Sequence, residues 1–231
     1  MTKKRIVTMA TCIALVGAVA VGGTLALLSQ TSNKVTNTFA VGEGYPTDKQ
    51  AVTLDEATVT QLTNGDYIDA SSRTTSNAYD KLVNGTSIHK DPTVTVKANT
   101  VDSWVVAYID NVDEIFSTSK FQNDNNSWYK VTKSGSNWDV ADAAVAGTQI
   151  TSGYYIYKDV VTKNVSEDTV LPDLFETLKV SFTETPDSVD ALNVKAGVVQ
   201  YVSGVKDATA LDQAGINAVM GTVETALASM N

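Results

Sequence analysis

The chain has one cysteine and one histidine in 231 residues. Cys12 lies in the N-terminal apolar run, so the rest of the protein cannot form a disulfide and must be held by burial. His89 stands before Pro92 in a stretch that reads as a loop. Zinc proteases usually place two histidines and a glutamate on one helix as His-Glu-x-x-His. One imidazole cannot supply the two or three nitrogens of such a site. A serine or cysteine triad would need the same His89 as its base, and no Gly-x-Ser-x-Gly elbow exists. His89 therefore reads as a turn residue packed beside a strand start, and the chain as a protein that is not an enzyme and needs no cofactor. Basic residues are also scarce. Residues 1–26 hold three of the 17 Lys+Arg and no acid, which leaves 14 against 26 Asp+Glu, a formal charge of −12. That balance argues against nucleic acid or anionic lipid as partners, since both need clustered Lys and Arg.

What the chain does have begins at its N-terminus. Lys3, Lys4 and Arg5 precede an uncharged, mostly apolar run over residues 6–28. As a helix this run would span about 35 Å, enough to cross a hydrocarbon core of about 30 Å. An uncleaved anchor is thus one reading, and it is the only membrane contact the sequence offers. Gly17, Gly22 and Gly23 weaken the helix near its outer end. Thr24-Leu25-Ala26 then puts small residues at the −3 and −1 positions. A basic start, an apolar middle and a small-residue site make a secretory signal cut between Ala26 and Leu27. Ala18-Val19-Ala20 is a second candidate site with a shorter apolar stretch. Cys12 follows Met9-Ala10-Thr11 and lacks the small residue found before a lipidated cysteine. The organisation read from this is a signal peptide at 1–26, an N-terminal arm at 27–49, and a β-sandwich domain with a C-terminal helical segment at 50–231.

Past the arm, apolar and polar residues alternate at period two between turn residues. Val52 and Leu54 begin a short run. Residues 63–87 are rich in Thr, Ser, Asn and Asp, with Asn64-Gly65 and Asn84-Gly85 as turn pairs, and read as a long loop or short-strand insertion. Val94, Val96 and Ala98 alternate with polar residues. Residues 104–109 are apolar on both parities, so this strand should be buried on both faces. Residues 113–121 read as one short helix. Residues 128–132 and 138–140 flank a hairpin turn at residues 133–136. Further strands are expected around Tyr154, around Leu178, Val180 and Phe182, and over residues 192–198. Leu211, Ile216, Val219, Met220, Val223 and Leu227 have the spacing of an amphipathic helix, with Gly215 and Gly221 as weak points. Many short strands and one or two short helices predict a mainly all-β, jelly-roll-like antiparallel β-sandwich.

The leader, with Gly22-Gly23-Thr24-Leu25-Ala26 and then Asn37-Thr38-Phe39-Ala40-Val41-Gly42, resembles that of the TasA/camelysin family. These are Gram-positive exported matrix proteins processed by a SipW-type signal peptidase. Leu27-Leu28-Ser29-Gln30 stands where the family has an aromatic and an acidic residue. Four core segments are also similar. They are residues 89–99, with Lys90, Pro92, Val94 and Asn99; residues 153–158; Leu171-Pro172-Asp173-Leu174-Phe175; and residues 192–200. The resemblance implies a secreted, extracellular structural protein of the cell surface or biofilm matrix, able to form fibres as a homo-oligomer. It also leaves open a camelysin-type metallopeptidase, while the aromatic residues leave open a monomeric adhesin or carbohydrate-binding module.

Other candidate sites have ordinary structural readings beside them. Asn123-Asp124-Asn125-Asn126 packs oxygens into one loop but lacks the Asp-x-Asp-x-Asp-Gly rhythm and bidentate Glu of a calcium loop, and reads as a polar hairpin tip. Asp110, Asp113 and Glu114 read as a solvated loop or helix start rather than paired catalytic carboxylates. Trp104 reads as core, whereas Trp128 or Trp138 could be an exposed sugar platform. The arm offers a different mechanism. Val35, Phe39 and Val41 share one face of an extended chain, and could pair with a sheet edge of the next subunit once the leader is cut. The alternative is that the arm docks on its own domain.

Overall fold

The computed structural model describes residues 29–31, 45, 50–79, 82–112, 114–184, 186, 189 and 191–228. Its strands are β1 (Ser29–Thr31), β2 (Val52–Gln61), β3 (Tyr67–Thr74), β4 (Ser87–His89), β5 (Thr93–Val96), β6 (Ser103–Asp110), β7 (Trp128–Ser134), β8 (Asn137–Val140), β9 (Gly153–Tyr157), β10 (Thr169–Val170), β11 (Thr177–Lys179) and β12 (Asn193–Gln200). One helix, α1 (Gln213–Ala228), follows them. The first sheet has the order β1-β12-β6-β9-β7-β8 and the second β10-β5-β2-β3-β4-β11. Pairing is antiparallel except for one parallel contact, Tyr67 of β3 with Ile88 of β4. This is the all-β sandwich expected from the period-two pattern.

β6 shows why the molecule has three layers. Its run Trp-Val-Val-Ala leaves no polar face, so both faces need cover. Val105, Ala107 and Ile109 pack toward the second sheet with Val52, Leu54, Ile88, Val94 and Val96. Trp104 and Val106 point the other way, where Ile156, Val199 and the Ile216, Val219, Met220, Val223 and Leu227 stripe of α1 cover them. The helix begins at Asp212, whose Oδ1 accepts the Gly215 N–H at 2.7 Å, a side-chain cap on an otherwise unpaired donor. The β7–β8 hairpin turns through Gly135 and Ser136, with Gly135 at φ +63, where a two-residue turn asks for glycine.

Several expectations need correction. Of the two readings of residues 63–87, the strand insertion holds and the long loop does not: β3 lies there and β4 begins at Ser87. β3 is exposed along most of its length, so it lacks the apolar alternation that marks a strand. Among the described residues of this stretch, 114–121, there is no helix beyond a single 3₁₀ turn at Glu114–Phe116. Ile115 and Phe116 are neighbours and both buried, and the Phe121 N–H bonds the Thr148 carbonyl at 2.9 Å, which keeps the chain extended. β11 stops at Lys179: Thr86, the next partner in register, gives its N–H to the Val83 carbonyl instead of to Val180, and the Ser181 N–H turns to Ile115.

Within the arm, Ser29–Thr31 adds to the edge of β12, pairing Ser29 with Val199, Gln30 with Val198 and Thr31 with Gly197. Tyr45 is buried in the inter-sheet core. Ala26, Leu27, Val35, Phe39 and Val41 lie outside the described residues. No helix among the described residues is long and apolar enough to cross a membrane.

Candidate functional site

The two ends of the first sheet are treated differently. At one end β8 would expose its backbone, but α1 meets it. The Trp138 N–H donates to Asn217 Oδ1 at 2.8 Å, and Gln213 Nε2 donates to the Trp138 carbonyl at 2.7 Å. Side chains of a covering helix thus occupy groups that another strand would use. At the other end the edge belongs to β12, and among the described residues the three of β1 occupy it. Below that edge Tyr45 anchors the chain, its hydroxyl 3.3 Å from Ser103 Oγ. Burial pushes the Tyr45 phenol up from its ordinary 10.0 and outweighs the lowering by Ser103.

A second site opens at one end of the sandwich as a cleft of about 440 Å³. Period two puts Glu56 on the inward face of β2 with Val52 and Leu54, and it is 7% exposed. Lys90, 8% exposed, enters from the end of β4. Its Nζ makes a short ion pair with Glu56 Oε2. The other oxygen, Glu56 Oε1, accepts from Asn77 Nδ2 at 2.9 Å, and Asn77 Nδ2 also donates to the Ala57 carbonyl at 2.7 Å. Tyr79 stands beside this group with its ring edge-on to Tyr67, centroids 5.1 Å apart. Its hydroxyl is buried and has no hydrogen-bond partner among the described residues; the Asn77 side chain lies near it, outside bonding geometry. Burial, and then the charge of Glu56, push the Tyr79 phenol up. Leu54, Leu82, Phe116, Leu178 and Val194 supply an apolar surround. Sequence reading missed this site. Glu56, Asn77 and Lys90 have no motif spacing, and the one available signal was a charged residue at an inward position of β2.

The candidates named from sequence fall elsewhere. His89 ends β4 rather than sitting in a loop, half-buried, with Nε2 3.8 Å from Asp91 Oδ1. Asp91 is already engaged by the Ala57 N–H and by Arg73. In the 123–126 loop, Asn125 is buried and gives its amide to the Leu174 carbonyl at 2.7 Å, so it ties two loops together. Asp110 ends β6 rather than lying in a loop, and its Oδ1 accepts the Asn111 N–H at 3.0 Å. Trp104, Trp128 and Trp138 are all buried, so none is an exposed platform. The Trp128 indole N–H donates to the Pro172 carbonyl at 2.9 Å. Among the described residues no group of three or more His, Cys, Asp or Glu side chains is placed to hold a metal. Compared with known proteins, the chain matches no family model, no curated protein and no solved structure.

Proposed function

We propose that this chain is a secreted structural subunit of the cell surface or biofilm matrix. A SipW-type signal peptidase would release it, and it would assemble into homo-oligomeric fibres by donating its N-terminal strand. The observation that carries the reading is β1. It lies just after the expected cut at Ala26 and Leu27, and it occupies the outermost position of its sheet. Strand pairing at an edge uses backbone groups that every copy of the chain presents alike, so a segment that pairs within its own domain can pair with a neighbour instead. Residues 32–44 join β1 to the buried Tyr45. Fully extended, that connection reaches about 45 Å, enough for exchange between adjacent domains. The blocked edge at β8 gives such a contact direction, since within the first sheet the strand is received at the β12 end and not at β8. A head-to-tail contact of this kind that does not close continues as a filament. The acidic surface keeps free subunits apart until the strand engages.

The test is a mature form lacking residues 27–41, beside Phe39→Asp and the parent. The truncated protein keeps Tyr45 and every strand from β2 onward, so it is expected to fold and to remain monomeric in sedimentation and electron microscopy. Phe39→Asp is expected to weaken assembly by placing an unpaired charge at an apolar contact. Normal fibres from the truncated protein would eliminate strand donation.

A further inference from the structure

The Glu56 cleft brings an amine and a carboxamide onto the two oxygens of one buried carboxylate. A buried Lys–Glu pair alone is weak evidence for stability, because removing both charges from water costs about as much as their attraction returns. The third member gives the arrangement a chemical use. We propose that Lys90 and Asn77 become joined through an amide bond between Lys90 Nζ and Asn77 Cγ, with Glu56 as the proton carrier.

The chemistry balances without an oxidant or a co-reactant. Glu56 takes a proton from the Lys90 ammonium, and the free amine attacks Asn77 Cγ. A carbon–nitrogen bond forms and the oxygen of the amide becomes an oxyanion. Glu56 then carries the protons shed by Nζ to Asn77 Nδ2, the Cγ–Nδ2 bond breaks, and the nitrogen leaves as ammonium. Nothing is oxidised or reduced. Amides resist amines in water because resonance weakens the carbonyl as an electrophile, the amide nitrogen leaves only when protonated, and the amine is itself protonated. Here one carboxylate holds both reactants at once, which removes the cost of bringing them together, and it touches both nitrogens between which protons must move. The Tyr79 hydroxyl, buried beside Asn77 and without a partner among the described residues, is a donor for the oxyanion. Glu56 and Lys90 are both under a tenth exposed, and Asn77 is half-buried. A bond here would fasten the segment after β3 to the end of β4, a covalent tie in a chain whose one cysteine lies at position 12. The proposal does not depend on fibre formation.

Mass spectrometry of the purified full chain tests it. Trypsin cuts after Arg73, Lys81, Lys90 and Lys97 in an unlinked chain. The bond predicts instead one branched peptide, residues 74–81 joined to residues 82–97, lighter by one ammonia, about 17 Da, than its two parts. Cyclisation at Asn64-Gly65 or Asn84-Gly85 would lose the same mass but leave the peptides linear. Glu56→Gln keeps the shape and removes the proton carrier, and Lys90→Arg keeps the charge and removes the nucleophile; both are expected to give linear peptides of full mass. Linear peptides from the parent would overturn the bond. A branched peptide that persists in Glu56→Gln would overturn the role of Glu56. The parent digest decides the bond even where a variant fails to fold.

Discussion

The Asn217 side chain accepts the Trp138 backbone N–H at 2.8 Å, so a helix residue stands where a neighbouring strand would otherwise bond β8. Asn217→Ala removes the acceptor and leaves a partly buried donor unpaired, a loss of about 1 kcal/mol. Urea denaturation is expected to show a lower midpoint with an unchanged slope. In the form lacking residues 27–41, sedimentation at raised concentration is expected to show association with Asn217→Ala that the same form lacks without it, because the Trp138 N–H at the β8 edge is then free. An unchanged midpoint together with unchanged sedimentation would mean that Asn217 does not guard the edge.

Tyr45 carries the anchoring of the N-terminal segment. Tyr45→Phe keeps the ring in the core and drops the contact with Ser103 Oγ, which still donates to the Val101 carbonyl at 2.6 Å. The expected cost is about 1 kcal/mol. Tyr45→Ala empties an aromatic site and is expected to cost about 3–5 kcal/mol. Chemical denaturation of the two variants against the parent checks both. Equal costs would mean that Tyr45 does not occupy the core.

The buried phenols predict alkaline sensitivity. Burial raises the Tyr45 and Tyr79 phenols above their ordinary 10.0 in the folded chain, while the unfolded chain ionises near that value. Above pH 10 the unfolded state therefore binds fewer protons than the native state, and stability falls as pH rises. The contribution is fully present below pH 10 and is lost progressively above it. Tyr45→Phe removes one of these groups, so its stability is expected to fall less steeply between pH 10 and 11.5. Unfolding midpoints measured across that range check the slope; identical slopes would contradict it.

Much of this architecture is legible in the sequence, for a physical reason. β6 has no polar parity, and the stripe at Ile216, Val219, Met220, Val223 and Leu227 has helical period, so a strand covered on both faces and a covering helix both follow from pattern alone. β3 is not legible, because its residues face water and its place comes from pairing with β2. The 3₁₀ turn at Ile115 and Phe116 defeats a helix reading since adjacent positions are both buried. Tyr45 sits among Gly42, Gly44 and Pro46, a context that reads as linker, and only the space beneath the β6 start makes it core. The Glu56 cleft showed only as a charge at an inward position of β2. Its three polar residues come from separate segments that meet only after the second sheet has formed.

Strand exchange can be read directly by placing a cysteine at each of two paired positions. Thr31 of β1 faces Gly197 of β12 in the register of the sheet, and antiparallel partners lie about 4.5–5.5 Å apart, within disulfide reach. The mature chain, lacking Cys12, would carry no other thiol. Thr31→Cys with Gly197→Cys should therefore report where β1 sits. Oxidised while monomeric, the pair is expected to close within one chain and run as a monomer on a non-reducing gel. That closure pins β1 to its own β12 and is expected to block assembly until reductant is added. Oxidised after assembly, the same pair is expected to join neighbours and give a ladder of covalent multimers. A locked monomer that still forms fibres, or fibres that yield only monomers after oxidation, would mean that β1 stays at home and that some other surface carries the contact.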